Sequence, residues 1–313
     1  MRPRFLISRL SALGDVVCTL PAASALKEGF PDAEIVWAVD PRFAGIVECC
    51  SAVDQVRRVR PSGWPPRVPR IEGEFEAAFD LQGLLKSAAI VARAKARAKL
   101  GYHWQREGAW LFSAKVSPDP SSFHVVDQYV DVVRAVGGKA DRAVFQLAPK
   151  SEDVEKVRGA LQESGVTGRF VVLNPGAGWV TKRWPPAHFA ALADALAGRG
   201  VDAVLIGGPA KADQEAAAEV IGQSRSLPAN LAGKTSVREL VALIDLAAAH
   251  VGGDTGSTHI AAALGKPAIG LYSITLPRRS CPYGQAHRCH YDPAGLANIQ
   301  PGQVLDTVLE AIA

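Results

Sequence analysis

The 313-residue sequence predicts an α/β fold made of two doubly wound units of mostly parallel sheet facing a central cleft. Three observations predict it. Short apolar runs alternate with helical segments through short connections, as parallel strands covered by helices require. The alternation restarts near residues 146–151, dividing the chain into halves each large enough for its own core. Three polar turns follow strand-like runs, where open parallel sheets take their ligands.

In the first half, residues 4–8 read as a strand and 15–30 as a helix carrying Pro21. Residues 34–39 form a strand, 43–50 a short helix and 55–59 a further strand. A Pro- and Gly-rich loop spans 61–69, a strand follows at 76–81, and residues 84–99 are strongly helical by composition and spacing. Residues 123–136 carry apolar side chains at helical spacing. The second half opens with a helix from Ser151, then a buried strand at 170–173. Helix 186–199, strand 203–206 and helices 213–222 and 236–248 continue it. The segment 250–272 reads strand, polar turn, helix (260–264) and strand (268–272), and a helix over 303–312 closes the chain.

Composition narrows the class. Hydrophobic content of 48% and charged content of 21% are those of a globular protein, and no apolar run is long enough to span a bilayer as a helix. The first residues imitate a secretion signal, but Arg9, Gly14 and Asp15 interrupt the apolar stretch, so a first strand and helix of a cytosolic protein are expected there. Five cysteines without a framework spacing read as reduced thiols; Cys281, His287, Cys289 and His290 lie close but lack a zinc spacing. Charge is uneven. Residues 1–150 hold 21 basic and 16 acidic side chains, net +5, against 14 and 15, net −1, in the remainder. Residues 57–115 alone hold 12 basic and 5 acidic, net +7. Such a half suits an anionic partner: a phosphorylated or carboxylated molecule, or an anionic membrane surface. The alternative is a solvated basic face. Nucleic acid is not expected, because no basic run is interleaved with stacking aromatics.

Each turn carries chemistry. In SRLSALGDVV, Gly14 and Asp15 sit where a helix begins, and the helix dipole favours the charged carboxylate. Asp15 could take a proton from a substrate hydroxyl, or merely start the helix. No G-x-G-x-x-G accompanies it. In NPGAGWVTKRWPPAHF, Gly176 and Gly178 allow a tight backbone, while Thr181, Lys182 and Arg183 bring donors and positive charge ahead of Trp184-Pro185-Pro186. Lys182 is placed to neutralise charge on a departing phosphate, with a plain surface pair as the alternative. In GGDTGSTHI, a helix N-terminus with Thr255, Gly256, Ser257 and Thr258 suits an anion, phosphate above all. Asp254 would repel phosphate, so it orients Lys182, binds a sugar hydroxyl or holds the loop; His259 either donates to a ligand or is a core histidine. Together the turns fit a metal-free displacement in which Asp15 deprotonates an acceptor hydroxyl.

Four motifs, SxxGDVVxTLPA at 11–22, DLQGLLKSA at 80–88, NPGAGWVTKRWP at 174–185 and GGDTGSTHIAAALGKP at 252–267, resemble the ADP-heptose:lipopolysaccharide heptosyltransferases of glycosyltransferase family nine. The resemblance implies the GT-B fold of two Rossmann-like domains. Residues 1–148 would bind acceptor and 149–313 the nucleotide-sugar donor, with the last helix able to pack back on the first domain. It implies an inverting transfer of L-glycero-D-manno-heptose from ADP-heptose, without metal or other cofactor. The acceptor would be a Kdo hydroxyl of Kdo-lipid A, and the enzyme cytoplasmic and peripheral at the inner membrane. By position, Asp15 matches the family's base and Lys182 its phosphate-contacting lysine. Gly178, Thr181, Asp213, Thr235, Asp254, Thr255, Gly256 and His259 fall on the donor side. Asp254 would face the heptose, and Thr255 and Gly256 the diphosphate. The ribose-holding acid of the family is displaced here, leaving Asp213 or Glu215. The 80–88 segment is most like the type I members, and Ser11, Gly14, Lys86, Arg93 and Arg97 fall on the acceptor side. On a helix over 84–99, Lys86, Arg93 and Arg97 would share one face.

Overall fold

The computed structural model describes residues 2–176 and 183–313. The chain divides into two compact units, Met1–Leu147 and Ala148–Ala313. Unit 1 runs β1 (Arg4–Ser8), α1 (Leu13–Gly29), β2 (Glu34–Val39), α2 (Ala44–Glu48), β3 (Gln55–Arg58), β4 (Glu74–Asp80), α3 (Leu85–Arg93), β5 (Lys95–Tyr102), β6 (Ala114–Val116) and α4 (Val125–Arg134). Its sheet has the order β3-β2-β1-β4-β5-β6, every pair parallel. The middle strands are apolar because helices cover both faces; Phe5, Leu6 and Ile7 of β1 are buried. Helix α1 is buried continuously from Val16 to Leu26 and packs on α4. A helix enclosed on all sides has no polar face, and α1 runs through Pro21 without ending there.

Unit 2 runs α5 (Ser151–Glu163), β7 (Phe170–Asn174), α6 (Pro186–Ala197), β8 (Asp202–Leu205), α7 (Lys211–Gln223), β9 (Ala229–Asn230), α8 (Val237–Leu246), β10 (Ala249–Gly253), α9 (Gly256–Ala263), β11 (Ala268–Tyr272), α10 (Pro277–Ser280), β12 (Cys289–Tyr291) and α11 (Pro301–Ile312). The parallel order β12-β11-β10-β7-β8-β9 repeats that of unit 1. In each sheet the winding reverses beside the first strand, between β1 and β4 and between β7 and β10. Neighbouring loops diverge there and leave a crevice at the carboxyl ends of the strands. The sequence left the final helix free to pack back on the first domain; α11 packs on α6 and beside β10 and β11 in its own unit.

One predicted element is wrong in kind. The helix expected over 84–99 stops at Arg93, and Lys95–Tyr102 is a strand. Ala, Lys and Arg favour helix intrinsically, but KARAKL also alternates with period two. Its alanines and Leu100 register with β4 (Ala77↔Ala98, Phe79↔Leu100), while Lys95 and Arg97 pair with Glu74 and Glu76. Tertiary pairing overrides propensity. The short edge strands β6, β9 and β12 were not foreseen.

Candidate active site

At the switch point of unit 1, β1 hands over to a loop that begins with a buried cation. Arg9 Nη2 lies 2.9 Å from Asp15 Oδ1, Nη1 donates to Leu81 O, and the guanidinium sits 5.1 Å from the Tyr129 ring centroid. Burial opposes its charge, but Tyr129, Asp15 and Asp80 outweigh that and hold the Arg9 pKa above its ordinary value. Asp15 occupies the first turn of α1, and Ala12 N donates to its Oδ2 at 3.2 Å. The dipole of α1 adds a favourable field for the negative charge. Both carboxylate oxygens are therefore held while the side chain stays 52% exposed. That combination of fixed direction and open access is what a general base needs.

Asp80 builds the facing wall. Buried at the end of β4, it accepts from Gln82 N at 3.1 Å and Gly83 N at 2.9 Å, and burial raises its pKa. Gly83 has φ of +72°, and a Cβ there would stand 2.4 Å from Trp104 O, so only glycine fits the turn. The turn delivers Gln82, whose Oε1 accepts from Leu10 N at 2.9 Å and whose Nε2 donates to Ser11 Oγ at 3.3 Å. Lys86 Nζ donates to the same hydroxyl at 3.3 Å. Ser11, Asp15 and Lys86 thus come together, with Gly14 inside the first turn of α1. Arg93 and Arg97 do not join them. Arg93 is exposed at the far end of α3, and Arg97 is on β5 with Nη1 3.0 Å from Glu76 Oε2. The expected three-residue basic stripe is not formed, because its helix ends too early.

The switch point of unit 2 carries a hydroxyl network. Gly252 registers with Asn174, so the ends of β10 and β7 are adjacent. Asn174 Nδ2 donates to Ser257 Oγ at 2.8 Å and Thr255 Oγ1 at 3.2 Å, and its Oδ1 accepts from Gly176 N at 3.1 Å. Beneath, His250 Nε2 lies 2.9 Å from Ser257 Oγ. Burial pulls the His250 pKa down to about 3, so its ring is neutral at physiological pH. Thr258 Oγ1 donates to Gly253 O at 2.6 Å, tying the helix start to the strand end. Thr255 is the N-cap of α9, whose first N–H groups have no helical acceptor and face the loop with the positive dipole end. Asp254 Oδ1 is 3.4 Å from His259 Nε2. This contact with His259 is none of the three roles the sequence left open for Asp254.

Asp213 is the acid in the first turn of α7, after β8. Its Oδ2 accepts from Gly208 N at 3.1 Å, and Arg183 Nη2 lies 4.0 Å from Oδ1. A Cβ at Gly176 or Gly208 would come within 2.7 Å or 2.9 Å of its carboxylate oxygens. Glu215, the other ribose candidate, points outward and pairs with Lys211 at 3.4 Å. Thr235 is half-buried after β9, just before Ser236, which caps α8. Gly178, Thr181 and Lys182 lie outside the described residues. His290 of the Cys/His group is turned to Thr307 at 3.0 Å, and among the described residues no three His, Cys, Asp or Glu side chains are grouped as metal ligands.

Residues 70–296 match the family described as glycosyltransferase family 9 (heptosyltransferase). The chain belongs to glycosyltransferase family 9. Among relatives of this family-9 enzyme, the lipopolysaccharide core heptosyltransferase OpsX of Haemophilus influenzae is 27% identical over 283 residues, covering 88% of this chain and 81% of that protein. Lipopolysaccharide heptosyltransferase 1 of Escherichia coli K12 is 28% identical over 321 residues, 97% of this chain and 98% of the relative. The solved E. coli heptosyltransferase WaaC with ADP superposes with a TM-score of 0.76 at 23% identity, over 98% of this chain and 99% of that one. The two doubly wound units are thus those of the GT-B class.

Sequence reasoning missed four side chains at the two switch points. In the sequence Arg9 reads only as a charge interrupting an apolar run, although a lone cation directly after a buried strand is itself a signal. Gln82 and Asn174 lie inside the quoted motifs, and His250 stands two positions ahead of the 252–267 motif. The Gln82 and Asn174 pairings link residues 71 or more positions apart, so spacing alone could not show them.

Proposed function

We propose that this glycosyltransferase moves L-glycero-D-manno-heptose from ADP-heptose to a Kdo hydroxyl of Kdo-lipid A, with inversion and without a metal. The observation that carries it is the Asp15 carboxylate, held by Arg9 and Ala12 N–H yet half open to solvent. In the proposed step the acceptor hydroxyl oxygen attacks the anomeric carbon from the face opposite the diphosphate. As that C–O bond forms, the hydroxyl proton passes to Asp15, and the bond to the diphosphate oxygen breaks with its electron pair leaving on ADP. Ser11 and Lys86 take the anionic acceptor.

On the donor side, Thr255, Gly256 and the start of α9 receive the diphosphate, as helix N-termini receive anions. Gly178, Thr181 and Lys182 are assigned by resemblance to the same phosphates, Lys182 offsetting charge on departing ADP. Asp213 and Thr235 serve the nucleoside, and the Asp254–His259 pair faces the heptose. The relatives' names, and the ADP in the WaaC structure, support this donor and acceptor class. No helix among the described residues is long and apolar enough to cross a membrane. The proposed place of action is the cytoplasmic face of the inner membrane, by peripheral contact. A later heptose of the core is the second reading for the acceptor, favoured by the loss of Arg93 and Arg97 from the basic cluster.

The test is to incubate the purified protein with ADP-heptose and Kdo₂-lipid A, with and without EDTA, and follow product by mass spectrometry and its anomeric configuration by NMR. Heptosylated product of inverted configuration, unchanged by EDTA, is expected. Hydrolysis without transfer, retained configuration or loss of activity with EDTA contradicts the reading. Transfer only to an already heptosylated acceptor selects the second one.

A further inference from the structure

Between β5 and β6 the chain makes a turn that displays apolar side chains outward. Trp110 is 60% exposed, Leu111 74% and Phe112 37%, three consecutive residues, with Trp104 48% exposed just before them. Single exposed apolar residues are ordinary on a protein surface, but a contiguous group marks an interaction site. The turn is built to present them. Ala109 is fully buried beneath it. Gln105 Nε2 donates to Ser113 Oγ at 2.8 Å, closing its base, and Arg106 N donates to Gly83 O at 2.7 Å.

Charge around the turn is one-sided. Arg106 and Lys115 are exposed on either side, and the only acid over residues 101–115, Glu107, accepts from Leu85 N at 3.3 Å. Leu85 is the first residue of α3, adjacent to Lys86. Trp, Leu and Phe beside Arg and Lys is the composition that settles into the headgroup layer of an anionic bilayer: aromatic bodies sink to the acyl boundary and cations stay among phosphates.

We propose that the turn Trp104–Phe112 is the membrane-docking element of this protein, its occupant an anionic lipid bilayer. The proposal deepens the function given above and rests on it in one respect: seating this turn in the headgroups would hold Lys86 and Ser11, one hydrogen-bonded step away, where a lipid-linked acceptor presents its sugars.

The test uses the whole protein and sedimentation with vesicles of phosphatidylcholine alone or mixed with phosphatidylglycerol. Wild type should bind the anionic vesicles at least about tenfold more tightly than the neutral ones, and the double variant W110S/L111S should lose about tenfold or more of that binding. R106A/K115A should lose the preference for anionic lipid, while L227S, at another exposed leucine, should bind as wild type. Unchanged melting of each variant shows that folding is not the cause. W110S/L111S should also lose transfer to acceptor embedded in vesicles while keeping transfer to a deacylated, water-soluble acceptor. The proposal is overturned if wild type ignores anionic vesicles or W110S/L111S binds as wild type does. It is equally overturned if that variant only dissolves a self-association seen by light scattering. Absence of transfer to either acceptor by wild type would count against the proposed function and leave the vesicle result standing as the test of docking.

Discussion

His250 makes the folded chain sensitive to acid, by an amount that follows from its burial. Its folded-state pKa is about 3 against an ordinary 6.5. A histidine with a lowered folded pKa is bound by protons more readily in the unfolded chain. Its contribution is therefore fully present above pH 6.5 and drains away as pH falls towards 3. At about 1.36 kcal/mol per unit, the difference between pH 7 and pH 5 comes to about 2 kcal/mol, because the unfolded histidine is mostly neutral at the first pH and mostly charged at the second. His250→Gln removes the titrating group and keeps an amide able to reach Ser257 Oγ. The assay is urea unfolding of wild type and variant at both pH values. The quantity read is the wild-type loss minus the variant's, so groups that titrate in both proteins cancel. A difference of about 2 kcal/mol is expected. Equal losses in the two proteins would refute the reasoning, since His250 would then not be held neutral by the fold.

Two further perturbations probe the site. Gly208→Ala places a Cβ 2.9 Å from Asp213 Oδ2; displacing that carboxylate should weaken ADP binding by about tenfold and cost roughly 1–3 kcal/mol of stability, read by calorimetric titration and melting. Lys86→Ala should raise the acceptor KM by about five- to twentyfold and leave the ADP-heptose KM within a factor of two, because the Nζ serves only the Ser11 side.

Fold class was legible because parallel strands buried on both faces leave apolar runs that need no tertiary knowledge to see, as in Phe5–Ile7 and Val171–Leu173. The segment 95–102 failed that test. Its charged residues suit a helix locally, and pairing with β4 and β6, with Glu74 and Glu76 meeting Lys95 and Arg97, makes it a strand. The site was legible in the same measure. Asp15 and the Thr255–His259 turn stand out as polar residues at helix starts after strands. The Arg9–Asp15 contact does not, because it depends on how the loop between β1 and α1 folds back, and Asn174 meets Ser257 only because sheet order sets β7 beside β10. Lys86 and Arg93 look equivalent on a helical wheel, yet only the start of α3 reaches the carboxyl edge of the sheet.

The most direct measurement concerns Asp15. Asp15→Asn keeps the shape of the side chain and removes its basicity. Wild type and variant are compared for transfer of heptose to Kdo₂-lipid A and for ADP affinity by calorimetry. Asp15 as general base predicts a fall in kcat of about 10²–10⁴-fold with ADP binding within about threefold of wild type. Transfer at an undiminished rate, or loss of ADP binding in step with activity, would contradict it and leave Asp15 with a structural role only, holding Arg9 and the start of α1.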